Sequence, residues 1–592
     1  MRKFHIIALA LCMLAAGLLF RDFLPHSRSI WTALLHDRVG HYDYGLDMAV
    51  ELERGHVGQF FGQLEKGKVW PPLHGLLVAL TQVISDNDWH MAVLPSLAGW
   101  FLVLWCVWYT AQKIATPTGF AWEAGVVGLI FALISPGERL YATDIMLESL
   151  GGGLTMVVLA CYARATEERE SESRWRALAF ALTLLFFEKY NYWMIVTAAL
   201  VLAESGTWIA IARGWLRATD IGKFCRAQVR EPLNWLFVFL AGAVYWLFAR
   251  GPTVFMVAGH RLSLYPPHNV VTVAYAVLFL RVALAIKRSG WKPRNAQEQM
   301  LFRWHVLPLS ISFLLPQRLS VFIGFLSPTN NDVGTRDFRT TLSYYSHAFA
   351  ADYHPSAAFA ILALVLALVA VARFKSLGPA ARAVILCMLI GAALNILHPN
   401  QKSRFLHSWI PAVWTASGLG AAILLQRVPR RSIVAAAGIA ALAFTGGRAM
   451  VAEAEATQSP RSMLDMSDEW LADTDGAQQV AFFSTQPSRP FMEWTFLADH
   501  HARDQFEWPA WQDKKSDSEL RASFEQWIAL TKADAIVFLE VSPESPEFRD
   551  ILDQTALRGA MHTLLGKQTR FKQTKRIGYP EYGCMVTVWR AK

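Results

Sequence analysis

Charge is what this sequence has little of. Only 17% of its 592 residues are Asp, Glu, Lys or Arg, while 54% are hydrophobic. A soluble chain of this length carries more charge, so composition excludes a water-soluble globular enzyme. Cysteine is scarce as well, with six in all. Cys12, Cys106, Cys161 and Cys387 fall in apolar segments, Cys225 in a basic loop and Cys584 near the C-terminus. No pair has metal-ligand spacing and no structural disulfide is expected. Internal repeats and low-complexity tracts are missing too, and without paired halves the chain lacks the plan of many secondary transporters. The net charge of +9 would raise nucleic acid as a partner in a soluble protein. Here the basic residues sit in short loops between apolar runs, so topology accounts for them and no nucleic-acid partner is expected.

What the sequence has is long apolar runs. They lie near 5–20, 72–84, 91–112, 120–136, 145–163, 177–188, 190–212, 232–249, 269–286, 304–325, 357–372, 383–397, 408–425 and 432–450. Several approach or exceed the roughly 20 residues that span a bilayer. Residues 2–20 have a basic start and an apolar core without a clean small-residue cleavage site, and read as an uncleaved first helix. Segment 72–84 is too short: at about 1.5 Å per residue it reaches only about 20 Å of a roughly 30 Å core. It opens Pro71-Pro72, which suits a helix start at an interface, and reads as a juxtamembrane helix that does not cross.

Charge bias supports that choice. With 72–84 excluded, about thirteen spans remain, inside segments hold about 23 Lys and Arg, and the short outside loops about 8. The basic loops 213–230 and 287–303 then lie inside. Residues 21–90, the Asp144 loop, the Lys189 turn, loop 328–355, loop 398–407 and everything from 452 onward lie outside. The tail 452–592 is a different kind of sequence. Segments 480–485, 535–540 and 585–590 look like strands, and Ser516-Asp517-Ser518-Glu519 is a capping box opening a helix toward Trp527. Ser545-Pro546 is an N-cap with a first-turn proline. The expected fold is a polytopic α-helical membrane protein, domain 1–451, followed by an extracytoplasmic α/β domain, 452–592.

Chemistry is sought on the expected outer face. The first loop runs His36-Asp37-Arg38-Val39-Gly40-His41-Tyr42-Asp43-Tyr44-Gly45-Leu46-Asp47. Asp43 and Asp47 are four apart and share a face if the stretch is helical; ordinary solvated acids are the competing reading. Asp144 ends the loop Ser135 to Asp144 where the next apolar run begins, as a helix-terminal charge or as part of a site. Lys189, beside Glu188, interrupts an apolar run, at a cost of at least about 2.5–3.5 kcal/mol if buried mid-membrane. It either snorkels at a tight turn or binds an anion. Arg318 faces the same cost, with Pro316 able to loosen its helix. The loop His398 to His407 is basic and polar, and Lys402 and Arg404 suit a phosphate. A lipid-phosphate sugar donor needs this mixture: cations or a metal for the leaving phosphate, and a carboxylate base for the acceptor hydroxyl. Two carboxylates with a phosphate also make a hard-oxygen site for a divalent ion.

An ordered set of features resembles the GT-C membrane glycosyltransferases, in particular the group with protein O-mannosyltransferases and the lipid A aminoarabinose transferase. Those features are the acidic first loop with Asp43, Pro71-Pro72-Leu73, the outer loop with Pro136, Arg139 and Asp144, the helix ending at Lys189, and the late basic turn with Arg404 before Pro411. The match covers 1–210 well, thins toward 450 and is absent from the tail. The resemblance implies inverting transfer of a sugar from a polyprenyl-phosphate donor to an acceptor glycan, lipid or protein. Asp43 would be the base, with Asp47 as the alternative. A divalent ion, Mg or Mn, would sit on Asp43 and Asp144, although not every member requires one. Lys189, Arg139, Arg318, Lys402 and Arg404 would form the lipid-phosphate surface, and His74, Tyr44 and His398 the substrate cavity. The family often has His before Pro-Pro-Leu; here Trp70 stands there and His74 follows. The implied place is the cell (inner) membrane, multi-pass among membrane lipids, with site and tail on the periplasmic side. A transporter or flippase of lipid-linked saccharides competes, as does a scaffold whose tail binds a partner. In the transferase, Asp43 and Asp144 must approach each other in one outward cavity.

Overall fold

The computed structural model describes residues 2–30, 36–66, 70–86, 88–206, 209–210, 213–214, 221–251, 254–257, 260–263, 267–326, 338–398, 401–428, 431–456, 472–474, 476–477, 479–484, 517–541, 563–567, 569–579 and 584–592. The chain divides into two compact units. The larger comprises Met1–Leu19, Gly55–Leu77 and Val93–Ala452; the smaller comprises Phe20–Arg54, Val78–Ala92 and Glu453–Lys592.

Apolar sequence becomes helix almost throughout. The first half gives α1 (Arg2–Ile30), α2 (His36–Glu53), α3 (Val57–Lys66), α4 (Pro72–Ser85), α5 (Leu94–Ala115), α6 (Ala121–Ile134), α7 (Pro136–Ala142), α8 (Leu147–Glu167), α9 (Glu172–Glu188) and α10 (Tyr190–Ala203). Then come α11 (Ile221–Arg230), α12 (Pro232–Arg250), the hairpin β1 (Val254–Val257) and β2 (His260–Ser263), α13 (His268–Ser289), α14 (Ala296–Leu301), α15 (Leu307–Ser312) and α16 (Arg318–Leu326). The series closes with α17 (Phe338–Ala351), α18 (Ala357–Ala372), α19 (Pro379–Leu397), α20 (Ile410–Leu425) and α21 (Arg431–Ala456).

The chain is a multi-pass helical membrane protein. Among the described residues six helices are long and apolar enough to cross alone, and a seventh span forms if α6 and α7, bent by 65°, count as one. The thirteen spans read from the sequence include shorter apolar helices such as α10, α18 and α20. Large apolar side chains stand exposed on the long helices, among them Phe239 and Tyr245 on α12 and Phe444 on α21. Apolar surface of this extent needs a non-aqueous neighbour, and lipid supplies it.

Inside the larger unit, α20 packs on α5, α6, α18 and α19, and α8 packs on α5 and α9. The core is aromatic: Trp100, Trp108, Trp175, Trp414, Tyr192 and Tyr353 are all essentially inaccessible. Small residues bring the helices close. A Cβ at Gly418 or Gly420 would overlap a backbone carbonyl, Ala124 of α6 or Leu366 of α18. Without a water-driven hydrophobic effect between spans, such close backbone approach is what holds membrane helices together.

Three segments differ from expectation. Helix α1 runs ten residues beyond the apolar stretch, through Pro25 to Ile30, so part of the first loop is helix. Segment 304–325 is not one helix: it starts as a π turn at Phe302–Val306 and breaks between α15 and α16, where Gln317 takes a positive φ of 66° after Pro316. Helix α8 begins at Leu147, three residues past Asp144, because the Asp144 carboxylate accepts the Ile145 N–H at 2.8 Å and turns the chain first. Helix α4, at 14 residues, keeps the short length expected of a juxtamembrane helix.

In the smaller unit the tail carries a four-stranded mixed sheet of β3 (Val480–Ser484), β4 (Ala535–Val541), β5 (Phe571–Tyr579) and β6 (Cys584–Ala591), in the order β3-β4-β6-β5. Strands β3 and β4 are parallel in the register Val480↔Ala535, and the other pairs are antiparallel. Helix α22 (Asp517–Leu530) buries Phe524 and Ile528 against Ile536, Phe538 and Trp589. Strand β5 was hidden from the sequence reading by its charge, with Lys572, Lys575 and Arg576 in nine residues. The capping serine Ser516 and the Ser545-Pro546 start lie outside the described residues.

Candidate functional site

Three consecutive glycines shape the polar centre of the larger unit. Gly151, Gly152 and Gly153 follow the first turn of α8, and each meets a different neighbour. A Cβ on Gly153 would overlap Gly99 of α5, so these two helices touch backbone to backbone. A Cβ on Gly152 would lie 3.3 Å from the His407 carbonyl oxygen, and one on Gly151 would lie 3.0 Å from Tyr192 Cδ2 and 3.6 Å from Lys189 Cδ. The bare stretch thus admits α10 and the turn Ser403–Ser408 against the first turn of α8, where Glu148 stands.

Lys189 is the single non-helical residue between α9 and α10, with φ −158° and ψ 110°. Its N–H closes α9 on the Leu185 carbonyl at 2.8 Å, and its own carbonyl accepts from Trp193 N at 3.1 Å. The backbone of the break is therefore satisfied, and the side chain points at α8. Its Nζ donates to Glu148 Oε1 at 2.6 Å and lies 4.8 Å from the centre of the Tyr192 ring. Arg404 brings Nε to 3.6 Å from the same Oε1. Two cations from separate elements thus meet one buried carboxylate. Beside them Glu188 ends α9, and its Oε1 lies 3.2 Å from His74 Nδ1 of α4, both side chains essentially inaccessible. Burying a carboxylate is tolerable only with such a partner.

A second constellation holds the Arg404 turn. His407 Nε2 lies 3.3 Å from Glu138 Oε1 of α7, with neither side chain exposed. His407 Nδ1 lies 2.6 Å from the Tyr353 hydroxyl. That hydroxyl is also 3.2 Å from the Ser403 carbonyl. Helix α7 itself is set by Ser135, whose Oγ accepts from Glu138 N, followed by Pro136 in the first turn. Burial raises the Tyr353 pKa well above its ordinary value and lowers that of neighbouring His354 to about 4, against the weaker pull of the Phe349 carbonyl. Neutral His354 then donates from Nδ1 to Phe349 O at 2.7 Å. The 352–356 connection, α7 and the 403–408 turn are tied together by these groups.

Of the residues singled out in the sequence, Lys189 and Arg404 converge, and His74 joins their surroundings through Glu188. Arg139 donates from Nη1 to the Leu133 carbonyl at 3.2 Å, and Arg318 from Nη2 to the Leu64 carbonyl at 2.9 Å. Asp144 is buried and bonds its own neighbour Ile145. Lys402 is partly buried just before the turn, whereas His398 is exposed and meets Phe405 edge-on at 5.5 Å. In the smaller unit, α2 carries Asp43 and Tyr44 partly buried and Asp47 exposed. Gly45 between them faces α4: a Cβ there would overlap the Val78 side chain. Among the described residues no three His, Cys, Asp or Glu side chains form a metal-ligand group.

Sequence reasoning passed over Glu148, Tyr192 and Tyr353; it gave Glu188 and His407 only as neighbours, and Glu138 only as part of the loop Ser135 to Asp144. A signal existed for Glu148. It is an acid one turn into an apolar run and stands three residues before Gly151-Gly152-Gly153, and an intramembrane acid implies a basic partner.

No family model and no curated protein sequence matches the chain. Comparison of structures finds the archaeal oligosaccharyltransferase AglB from Archaeoglobus fulgidus, solved with an inhibitory peptide and a dolichol-phosphate. It is 11% identical, with a TM-score of 0.49 over 98% of this chain and 74% of that one. An Archaeoglobus fulgidus oligosaccharyltransferase in complex with Zn and sulfate is 10% identical, with a TM-score of 0.47 over 96% and 72%. ArnT from Cupriavidus metallidurans bound to undecaprenyl phosphate is 12% identical, with a TM-score of 0.37 over 99% and 98%. AglB and ArnT are GT-C fold membrane glycosyltransferases, the group whose motifs the sequence resembles. At TM-scores below 0.5 the likeness carries no residue role or substrate to this chain.

Proposed function

We propose that this protein is a membrane glycosyltransferase that takes a sugar from a polyprenyl-phosphate donor and gives it to an acceptor at the outer face of the membrane. The observation that carries the reading is the convergence of Lys189 and Arg404 on the buried Glu148. Two cations brought by separate helical breaks into an apolar bundle are costly to bury. They suit an anion that must be held there, and an arginine beside a lysine offers both a planar fork and a point charge to a phosphate.

In the transfer, the acceptor hydroxyl oxygen attacks the anomeric carbon and the bond from that carbon to the phosphate oxygen breaks. The electron pair leaves on the polyprenyl phosphate. Lys189 and Arg404 meet that developing charge, where preorganised donors are worth most. The hydroxyl proton passes to a carboxylate, Asp43 by the family resemblance, with the exposed Asp47 one turn on as the alternative. Arg139, Arg318 and Lys402 belong to the outer rim of this reading, and the sheet domain from 452 onward to acceptor selection. A Mg or Mn ion on Asp43 and Asp144 would take its remaining oxygen ligands from phosphate and water. The acceptor class is a glycan, a lipid or a protein.

The test is transfer in purified membranes with a radiolabelled polyprenyl-phosphate sugar pool, comparing wild type with Asp43→Asn at matched expression. Loss of labelled product with normal protein level supports Asp43 as the base. Full transfer removes Asp43 from the mechanism and moves the role to Asp47. Full transfer by Asp47→Asn as well would leave the transferase reading without a base.

A further inference from the structure

One of the two richest basic loops of the sequence, 213–230, has no part in the transfer, yet its second half has a definite shape. Residues 221–230 form α11, and its side chains sort cleanly. At about 100° per residue, Ile221, Phe224, Cys225 and Val229 fall within one arc of about 140°, interrupted by Gln228, while Lys223, Arg226 and Arg230 fill an opposite arc of about 60°. All seven are exposed. The helix is not loosely attached. Gln228 Oε1 accepts from Arg281 Nη2 at 2.8 Å and from Asn234 Nδ2 at 3.0 Å, and the same Asn234 nitrogen donates to the Gln228 carbonyl at 2.8 Å. Arg288 pairs with Glu231 at 2.6 Å, and Trp235 Nε1 donates to the Val229 carbonyl at 2.7 Å. These bonds fix α11 at the head of the α12 and α13 pair. Immediately beyond it Trp235, Leu236 and Phe239 of α12 are exposed apolar residues on a membrane span.

We infer that α11 lies in the bilayer interface and binds anionic phospholipid headgroups through Lys223, Arg226 and Arg230, with Ile221, Phe224, Cys225 and Val229 set among the upper acyl chains. Continuity argues for the lipid: an exposed apolar arc on a helix pinned to the end of a lipid-facing span has hydrocarbon as its neighbour. Charge argues for the headgroup: the three basic side chains reach outward from that arc to the phosphate level, as interfacial helices do. The bias of Lys and Arg assigns this end to the inner leaflet, where anionic lipid accumulates. The inference does not depend on the reaction at Glu148, Lys189 and Arg404.

Cys225 provides the probe, because it is the exposed cysteine among the described residues and lies within the apolar arc. The full chain, with its other cysteines replaced, is labelled there with bimane and reconstituted into vesicles. The vesicles contain brominated phosphatidylglycerol or brominated phosphatidylcholine at equal mole fraction. The expected result is blue-shifted emission, quenched more strongly by the brominated anionic lipid. The affinity ratio behind that preference should fall roughly a hundredfold in K223Q/R226Q/R230Q, about fivefold per basic residue, and shrink in high salt. Water-like emission that neither lipid quenches would overturn the placement. Equal quenching by both lipids would overturn the headgroup recognition. Size-exclusion of the triple variant in detergent, unchanged from the parent, separates a lost contact from a misfolded chain.

Discussion

Replacing Glu148 by Gln removes the carboxylate on which Lys189 and Arg404 meet and leaves the volume unchanged. The Lys189 to Glu148 contact is 2.6 Å, with Glu148 2% and Lys189 13% exposed. At an effective dielectric near 20, opposite charges that close attract by about 6 kcal/mol before desolvation is counted. Removing one member of such a pair costs about 3–5 kcal/mol, because the other charge stays buried without its counter-ion. Glu148→Gln should therefore lower the thermal midpoint of the full chain in detergent. A bound phosphate changes the sign of the effect. The Glu148 carboxylate repels a phosphate held on the same cations, so the variant should bind polyprenyl phosphate more tightly than wild type. Ligand binding stabilises by RT ln(1 + [L]/Kd), and added polyprenyl phosphate should raise the midpoint more in the variant than in wild type. The assay is thermal unfolding of matched preparations across a polyprenyl phosphate titration, with a neutral polyprenol as control. Equal shifts for both proteins, or shifts as large with the neutral alcohol, would refute a phosphate site at these cations.

Other outcomes follow from single contacts. His74→Ala should destabilise the chain by about 3–5 kcal/mol by stranding the inaccessible Glu188 carboxylate, and the double variant with Glu188→Gln should recover much of that loss in the same unfolding assay. Gly153→Ala places a methyl on the Gly99 backbone and should cost about 1–3 kcal/mol or more, whereas Gly151→Ala, which meets a side chain, should cost less; the order of their midpoints checks this. Tyr353→Phe removes the hydroxyl bonded to His407 and should cost about 1 kcal/mol. If the turn positions Arg404, the same change should raise the KM for donor more than it lowers kcat.

Several parts of this molecule were legible in the sequence because one physical rule governs them. Apolar run length located the helices, and short runs rich in Val, Ile and Phe located β3, β4 and β6. Lys189 was visible, beside Glu188, as a charge interrupting an apolar run, and Arg404 as a phosphate-suited residue in a tight basic loop. Their convergence was not visible, since it depends on helix pairing across more than two hundred residues. Glu148 was missed because three glycines beside it read as an ordinary apolar helix, and only packing shows each glycine as an opening toward a different neighbour. The break at Gln317 was hidden for a similar reason: apolar composition continues through it, while Pro316 and a positive φ interrupt the helix. The amphipathic order of α11 was present in the loop 213–230, but the net charge of that stretch drew attention to topology before periodicity.

What happens to the donor at Lys189 and Arg404 separates a transferase from a carrier. Purified protein in vesicles would be given a polyprenyl-phosphate donor labelled in both sugar and phosphate, together with crude acceptor membranes. Wild type should release labelled polyprenyl phosphate in step with labelled sugar product, and K189M/R404M, at unchanged protein level, should do neither. Movement of intact donor from one leaflet to the other, with no polyprenyl phosphate released, would contradict the transferase and identify the protein as a carrier of lipid-linked saccharides.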